Sequence, residues 1–122
     1  MREIKFRAKH KIINSWYYGF LYIRDKDYII TTNGYTEYVV DKKTIGQYIQ
    51  LKDKNGKEIY EGDIVHAINK RGMEWKCLVV FCEETARYVM DEGDGCCQDF
   101  NSFFESIEII GSIYENHELL NK

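Results

Sequence analysis

Apolar and polar residues alternate from the first residues of the chain. Over residues 2–9, Ile4, Phe6 and Ala8 fall on one side of an extended segment and Glu3, Lys5, Arg7 and Lys9 on the other, the period-two pattern of a half-buried strand. Trp16 to Ile23 (WYYGFLYI) predicts a second, aromatic strand that folds back on the first through Lys11 to Ser15. Tyr28–Thr32 and Tyr35–Val40 flank Asn33-Gly34, a hairpin signal. After a charged connection at Asp41–Lys43, Ile45–Lys52 leads into the stretch around which the chain is organised, Thr44 to Val65 (TIGQYIQLKDKNGKEIYEGDIV). There Asn55-Gly56 predicts a type I′ turn, and Gly62-Asp63 a second tight turn opening onto Ile64-Val65.

Beyond it, Ile59-Tyr60, Ile64–Ile68, Glu74–Cys82, Arg87–Met90 and Ile107–Tyr114 are short strand candidates, and Arg71-Gly72 separates two of them. Strands at this density predict a small closed or partly open sheet. Asp91–Asn101 is the least regular segment, and Asp99–Glu105 predicts one short helical turn. At the end, Asn116 is placed to cap a brief helix through Leu119 that closes one end of the barrel. The pattern predicts an all-β chain, with antiparallel hairpins over residues 1–50, an SH3-like or otherwise small β-barrel over residues 51–122, and a short terminal helical turn.

Composition sharpens this picture. Ten Tyr, six Phe and two Trp suit strands, and the absence of Pro leaves Gly, Asn and Asp to make the turns. The 122 residues suffice for one compact domain or two small β units. From Met1 onward no apolar run is long enough for a signal peptide or a membrane span, which predicts a cytoplasmic protein with no membrane association and with its four cysteines reduced. The net charge of -3 hides an asymmetry. Residues 1–26 carry seven Lys or Arg against two acids, and residues 83–118 carry ten acids against Arg87 alone. Such polarity steers encounters or favours head-to-tail association into a homo-oligomer.

Candidate chemistry is sparse. Cys77, Cys82, Cys96 and Cys97 lack the paired C-x₂₋₄-C spacing of zinc sites, and buried or incidental thiols are the plainer reading. None of His10, His66 and His117 forms a local signature with a cysteine, and the acids Asp91, Glu92, Asp94 and Asp99 disfavour a thiolate at Cys96 or Cys97. Those acids are the basis of a third-ranked reading, a metal-dependent hydrolase, but they lack the ladder of an EF-hand, and a solvated loop is the plainer account. No catalytic residue, metal ligand or cofactor is assigned. Lys5, Arg7 and Lys9 recur roughly every 6.6 Å on an extended strand and are spaced to follow phosphates, with Trp16, Tyr17 and Tyr18 available to stack on bases. The sequence pI of 5.6 argues against nucleic acid. The alternative is a protein interface built on Trp16, Tyr18, Trp75 and Tyr88, since aromatic residues are enriched in interface cores.

MREIKFRA at the start, TIGQY and LKDKNGKEIYEGDIV in the middle and IEIIGSIYENHELL at the end resemble the YopX family, encoded largely by bacteriophages and prophages. The resemblance implies a phage origin, a largely β structure and a C-terminal β-barrel beginning near the LKDKNG hairpin. It implies no catalytic activity and supplies no functional residues. The chain departs from the family pattern at Lys9-His10, where Trp-Asp commonly follows FRA, at Ile49-Gln50, where Thr-Gly commonly precedes LKD, and at His117, where Pro commonly follows EN. Gln50 draws notice because Gln tolerates positive φ poorly. The resulting expectation is a non-catalytic accessory protein that binds a host or phage protein, with nucleic-acid binding through the basic strand as the alternative.

Overall fold

The computed structural model describes residues 2–92 and 97–120, and antiparallel strands make up most of it. The chain divides into two compact units, Met1–Gln50 and Leu51–Lys122.

In the first unit, β1 (Phe6–Lys9), β2 (Trp16–Arg24), β3 (Asp27–Thr31), β4 (Glu37–Val40) and β5 (Gly46–Lys52, whose last two residues belong to the second unit) are arranged in the order β4-β3-β2-β1-β5. Alternation puts Ala8, Ile30 and Val40 into the core, and Phe6, Tyr17, Leu21, Tyr28, Tyr38 and Ile45 pack against them. β1 is interior to the sheet and shorter than the sequence pattern predicts, because residues 2–5 leave the strand. Next to Ala8 on this strand, Arg7 is also buried, at 7 % exposure, so the basic side of β1 is not a solvated face.

β2 changes partner at Gly19. Trp16–Gly19 pair with β1, and Phe20–Arg24 pair with β3. Gly19 has φ +152, and a Cβ there would lie 2.2 Å from the Thr31 carbonyl oxygen, so the crossover requires glycine. The sheet curls until the chain past β1 bridges to the end of β4, with His10 opposite Val40 and Asp41 N–H donating to Lys9 O at 2.8 Å. Thr44 Oγ1 accepts from Lys9 N–H at 2.9 Å and donates to Asp41 O at 2.7 Å, which fastens the 3₁₀ turn Lys42–Thr44 to β1.

The second unit contains β6 (Glu58–Tyr60), β7 (Asp63–Asn69), β8 (Glu74–Cys82), β9 (Arg87–Asp91), β10 (Cys97–Asp99) and β11 (Phe104–Ser112), five of them in a sheet of order β10-β9-β8-β7-β11. The closed SH3-like barrel is not formed among the described residues, since β10 and β11 stand at opposite edges. The reason is local: the outer edge of β11 is occupied by the hairpin that precedes β6. Lys54 N–H donates to Ile107 O at 2.9 Å, and Ile109 N–H donates to Asp53 Oδ2 at 3.0 Å.

Asn55-Gly56 does not form a type I′ turn, because only Gly56 has positive φ (+82). Asp53 organises the turn instead. Its Oδ1 accepts from Asn55 N–H at 2.9 Å and Lys57 N–H at 3.0 Å, Gly56 N–H returns to Asp53 O at 3.0 Å, and Asp53 N–H donates to Lys57 O at 2.8 Å. That is a type I turn followed by a left-handed glycine. The same construction recurs at the next hairpin. Asn69 Oδ1 accepts from Arg71 and Met73 N–H at 2.9 and 3.0 Å, and Gly72 has φ +81.

Two further expectations are corrected. Residues 99–105 hold no helical turn: β10 ends at Asp99, and Asn101 Oδ1 accepts from Phe103 N–H at 2.9 Å in a tight turn into β11. The 3₁₀ turn His117–Leu120 is present, but the Asn116 side chain reaches back to accept from Ser112 N–H at 3.2 Å rather than capping it.

Candidate binding surface

The register of β1 on β2 brings four of the eight sequence-predicted residues together. Arg7 lies opposite Tyr18 and Lys9 opposite Trp16, so these four side chains share one face of the first unit. The Arg7 guanidinium sits 4.5 Å from the centre of the Trp16 ring, and the Lys9 ammonium 5.7 Å from it. The Lys5 ammonium lies 6.0 Å from the Tyr48 ring and 3.5 Å from Glu3 Oε2. The three cations are thus engaged with the sheet's own aromatic residues and acids. Tyr17 is on the opposite face, stacked on Tyr38 with ring centres 3.8 Å apart and planes within 11°. Alternation along a strand makes that outcome unavoidable, since neighbours point to opposite faces.

Beside the Arg7–Trp16 pair the same face becomes apolar and open. Phe20 is 65 % exposed, Ile4 51 % and Tyr18 42 %. They border a cleft of about 620 Å³, shared with Arg2, Lys5 and Thr32. Phe20 and Ile4 are absent from the sequence-derived site. The signal for Phe20 was available in its two-residue spacing from Trp16 and Tyr18 on the same strand. Ile4 looked like core from its alternation with Phe6 and Ala8, and only the departure of residues 2–5 from β1 exposes it.

The remaining interface candidates lie in the second unit. Trp75 is half-buried and meets Phe104 edge-on at 5.7 Å, and Tyr88 meets Phe81 edge-on at 5.1 Å. Burial, with the charge of Glu61 adding to it, raises the Tyr88 phenol above its usual pKa. A second cleft of about 410 Å³ is lined by His66, Trp75, Lys76, Glu92 and Leu119, with His66 Nε2 2.9 Å from Glu74 Oε1.

Cys77 is fully buried in β8, Cys82 is half-buried and Cys97 exposed, while Cys96 lies outside the described residues. The Cys82 thiol is lowered in pKa, chiefly by a hydrogen bond from the Thr85 side chain. Among the described residues no group of His, Cys, Asp or Glu is arranged to hold a metal ion. Asp99 is held by Arg87 through two hydrogen bonds of 2.8 and 3.2 Å, and Glu92 accepts from Gln98 at 3.4 Å. Asp94 is outside the described residues.

Charge follows the two units. Residues 1–50 carry nine Lys or Arg against five acids, and residues 51–122 carry eight against fifteen. Among the described residues no helix is long and apolar enough to cross a membrane.

A family model described as YopX protein matches residues 5–121. The chain belongs to the YopX family. Among solved structures this YopX protein is similar to protein EF1440 from Enterococcus faecalis, with a TM-score of 0.60 and 24% identity, over 98% of this chain and 99% of that one. A likeness at this identity is one of fold. No curated protein matches the chain. The segment that carries much of the YopX resemblance has a structural role here: Ile59, Tyr60, Ile64 and Val65 are buried, Asp53 builds the hairpin, and buried Asp63 accepts from Tyr60 N–H at 2.8 Å.

Proposed function

We propose that this protein of the YopX family is a non-catalytic accessory protein, encoded by a phage or prophage, that works in the bacterial cytoplasm by binding a host or phage protein through exposed apolar residues of its first unit. The observation that carries the reading is the exposed apolar group Ile4, Tyr18 and Phe20 at a cleft edged by Arg2 and Lys5. Clustered apolar side chains with a polar rim favour a protein partner, for which burial of aromatic rings supplies the driving force. Binding of single-stranded nucleic acid is the weaker reading on the same face. A base-stacking platform needs open ring faces, and the Trp16 ring is covered by the buried Arg7 guanidinium.

Capture of partners by the tagged full chain from phage-infected bacterial lysate, with and without nuclease, tests the reading. Stoichiometric recovery of a protein that survives nuclease is the expected result. Recovery that collapses on nuclease treatment would instead favour nucleic acid, and an empty capture in both arms would count against any partner.

A further inference from the structure

The sequence holds two Asn-Gly pairs, Asn33-Gly34 and Asn55-Gly56, both at exposed hairpin turns. In such a pair no side chain shields the nitrogen that follows the asparagine, and that nitrogen can attack the carboxamide carbon. The glycines do not separate the two sites. At each, φ is +82, a Cβ would meet nothing within 4 Å, and the N–H is engaged, Gly34 with Thr31 Oγ1 at 2.9 Å and Gly56 with Asp53 O at 3.0 Å. The carboxamides differ. Asn33 Oδ1 accepts from Tyr35 N–H and Thr36 N–H, both at 2.9 Å, so this side chain organises its own turn. At Asn55 that task belongs to Asp53, and among the described residues the Asn55 carboxamide keeps one long bond, from Nδ2 to Glu108 Oε2 at 3.5 Å.

We propose that Asn55-Gly56 is a self-modification site, where the carboxamide converts through a cyclic imide to aspartate and isoaspartate, and that the turn at Asn33 protects Asn33-Gly34 from the same reaction. The Gly56 nitrogen gives its proton to solvent and bonds to the Asn55 side-chain carbonyl carbon, the bond from that carbon to Nδ2 breaks, and ammonia leaves. Water then opens the ring. Opening at the side-chain carbonyl gives aspartate and opening at the main-chain carbonyl gives isoaspartate, so water is the co-reactant and nothing is oxidised or reduced. Both glycine N–H groups must leave their acceptors, which slows the two sites alike. Asn33 must in addition release two backbone donors, which lowers its reactive population by about tenfold or more. The products matter at this position. Each puts a new carboxylate beside Glu108, and isoaspartate adds a main-chain carbon to the hairpin that Asp53 spans with its bonds to residues 55 and 57. Asp53 also holds Ile109 N–H at 3.0 Å, so conversion weakens the hold of the hairpin on β11.

The test incubates the full chain at mildly alkaline pH, folded and in urea, and follows each Asn-Gly pair by peptic digestion and mass spectrometry, with isoaspartate told from aspartate by its fragmentation. In the folded chain Asn55 is expected to convert about tenfold or more faster than Asn33, and in urea the two rates should converge. Amide exchange reads the consequence. Ile109 should exchange about tenfold faster in the isoaspartate form, while Asn55→Gln, carried through the same incubation, should keep the slow exchange of the fresh chain. Conversion at Asn33 as fast as at Asn55 in the folded chain would overturn the assignment. So would a gap that persists undiminished in urea, or an Asn55 still intact in the folded chain once the chain in urea has converted. Exchange at Ile109 as slow in the isoaspartate form as in Asn55→Gln would overturn the coupling to β11.

Discussion

Asp53 is a carboxylate whose two oxygens have separate tasks, and a single substitution separates them. Oδ1 accepts from Asn55 and Lys57 N–H within the hairpin, and Oδ2 accepts from Ile109 N–H in β11. Asn69 performs the first task in the next hairpin with an amide oxygen, so Asp53→Asn should keep the turn. What it loses is the bond to Ile109, where an NH₂ group would face a backbone N–H. Hydrogen bonds to charged groups contribute about 1.5–3 kcal/mol, and Asp53 is only 7 % exposed, so the expected loss at pH 7 is about 2–3 kcal/mol. The pH dependence has a defined sign. Burial on its own would raise this carboxyl, but the Ile109, Lys57 and Asn55 donors, with the Lys57 charge, hold it below the usual value. A depressed folded pKa contributes stability that is present above the unfolded value near 3.8 and is lost as pH falls through the folded one. The gap between wild type and Asp53→Asn should therefore narrow below about pH 4. Urea unfolding at several pH values and exchange of the Ile109 amide read both effects, with Lys54→Ala, which removes only an exposed ion pair to Glu108, expected within about 0.5 kcal/mol of wild type. A loss under about 0.5 kcal/mol for Asp53→Asn, or a gap that does not change with pH, would refute the assignment.

Other substitutions probe the first unit. Gly19→Ala places a Cβ against the Thr31 carbonyl and should cost about 3 kcal/mol or more, with fast exchange along β2 and β3. Gln50 has φ +74 and donates to the Glu3 carbonyl, so Gln50→Ala loses the bond and keeps the strain, while Gln50→Gly loses the bond and relieves it. The glycine variant should exceed the alanine variant by about 1 kcal/mol in thermal or urea unfolding. Thr44→Val removes the acceptor for Lys9 N–H at a buried position and should cost about 1–3 kcal/mol by the same assays.

Strand existence was legible because period-two alternation is a local property: β2, β3, β7, β8 and β9 lie where the pattern of apolar residues puts them. At Gln50 the sequence put the local backbone in doubt, because Gln tolerates positive φ poorly where glycine is common in the family, and the chain nevertheless keeps a positive φ of +74 there. Tertiary pairing was not legible. Lys5, Arg7 and Lys9 fall on the polar side of a half-buried strand, yet Arg7 is buried against Trp16. The Asn55-Gly56 dipeptide suggested a type I′ turn because a two-residue window cannot register that Asp53, two positions earlier, supplies the acceptor. Closure of the second sheet depended on what covers β11, and a bond between residues 53 and 109 leaves no trace in sequence spacing. Within the candidate surface, Tyr18 was singled out by type and Phe20 was available from its spacing on β2, whereas Ile4 required knowing that the chain leaves β1 before Phe6.

The claim that the first unit binds a protein through its exposed face is tested most directly by parallel nuclease-treated captures with wild type, Phe20→Asp and Phe81→Asp, the two replaced rings being 65 % and 42 % exposed in different units. The account predicts one co-purifying protein, recovered equally by wild type and Phe81→Asp and lost by a folded Phe20→Asp. Undiminished recovery by Phe20→Asp, or loss only in Phe81→Asp, would contradict it.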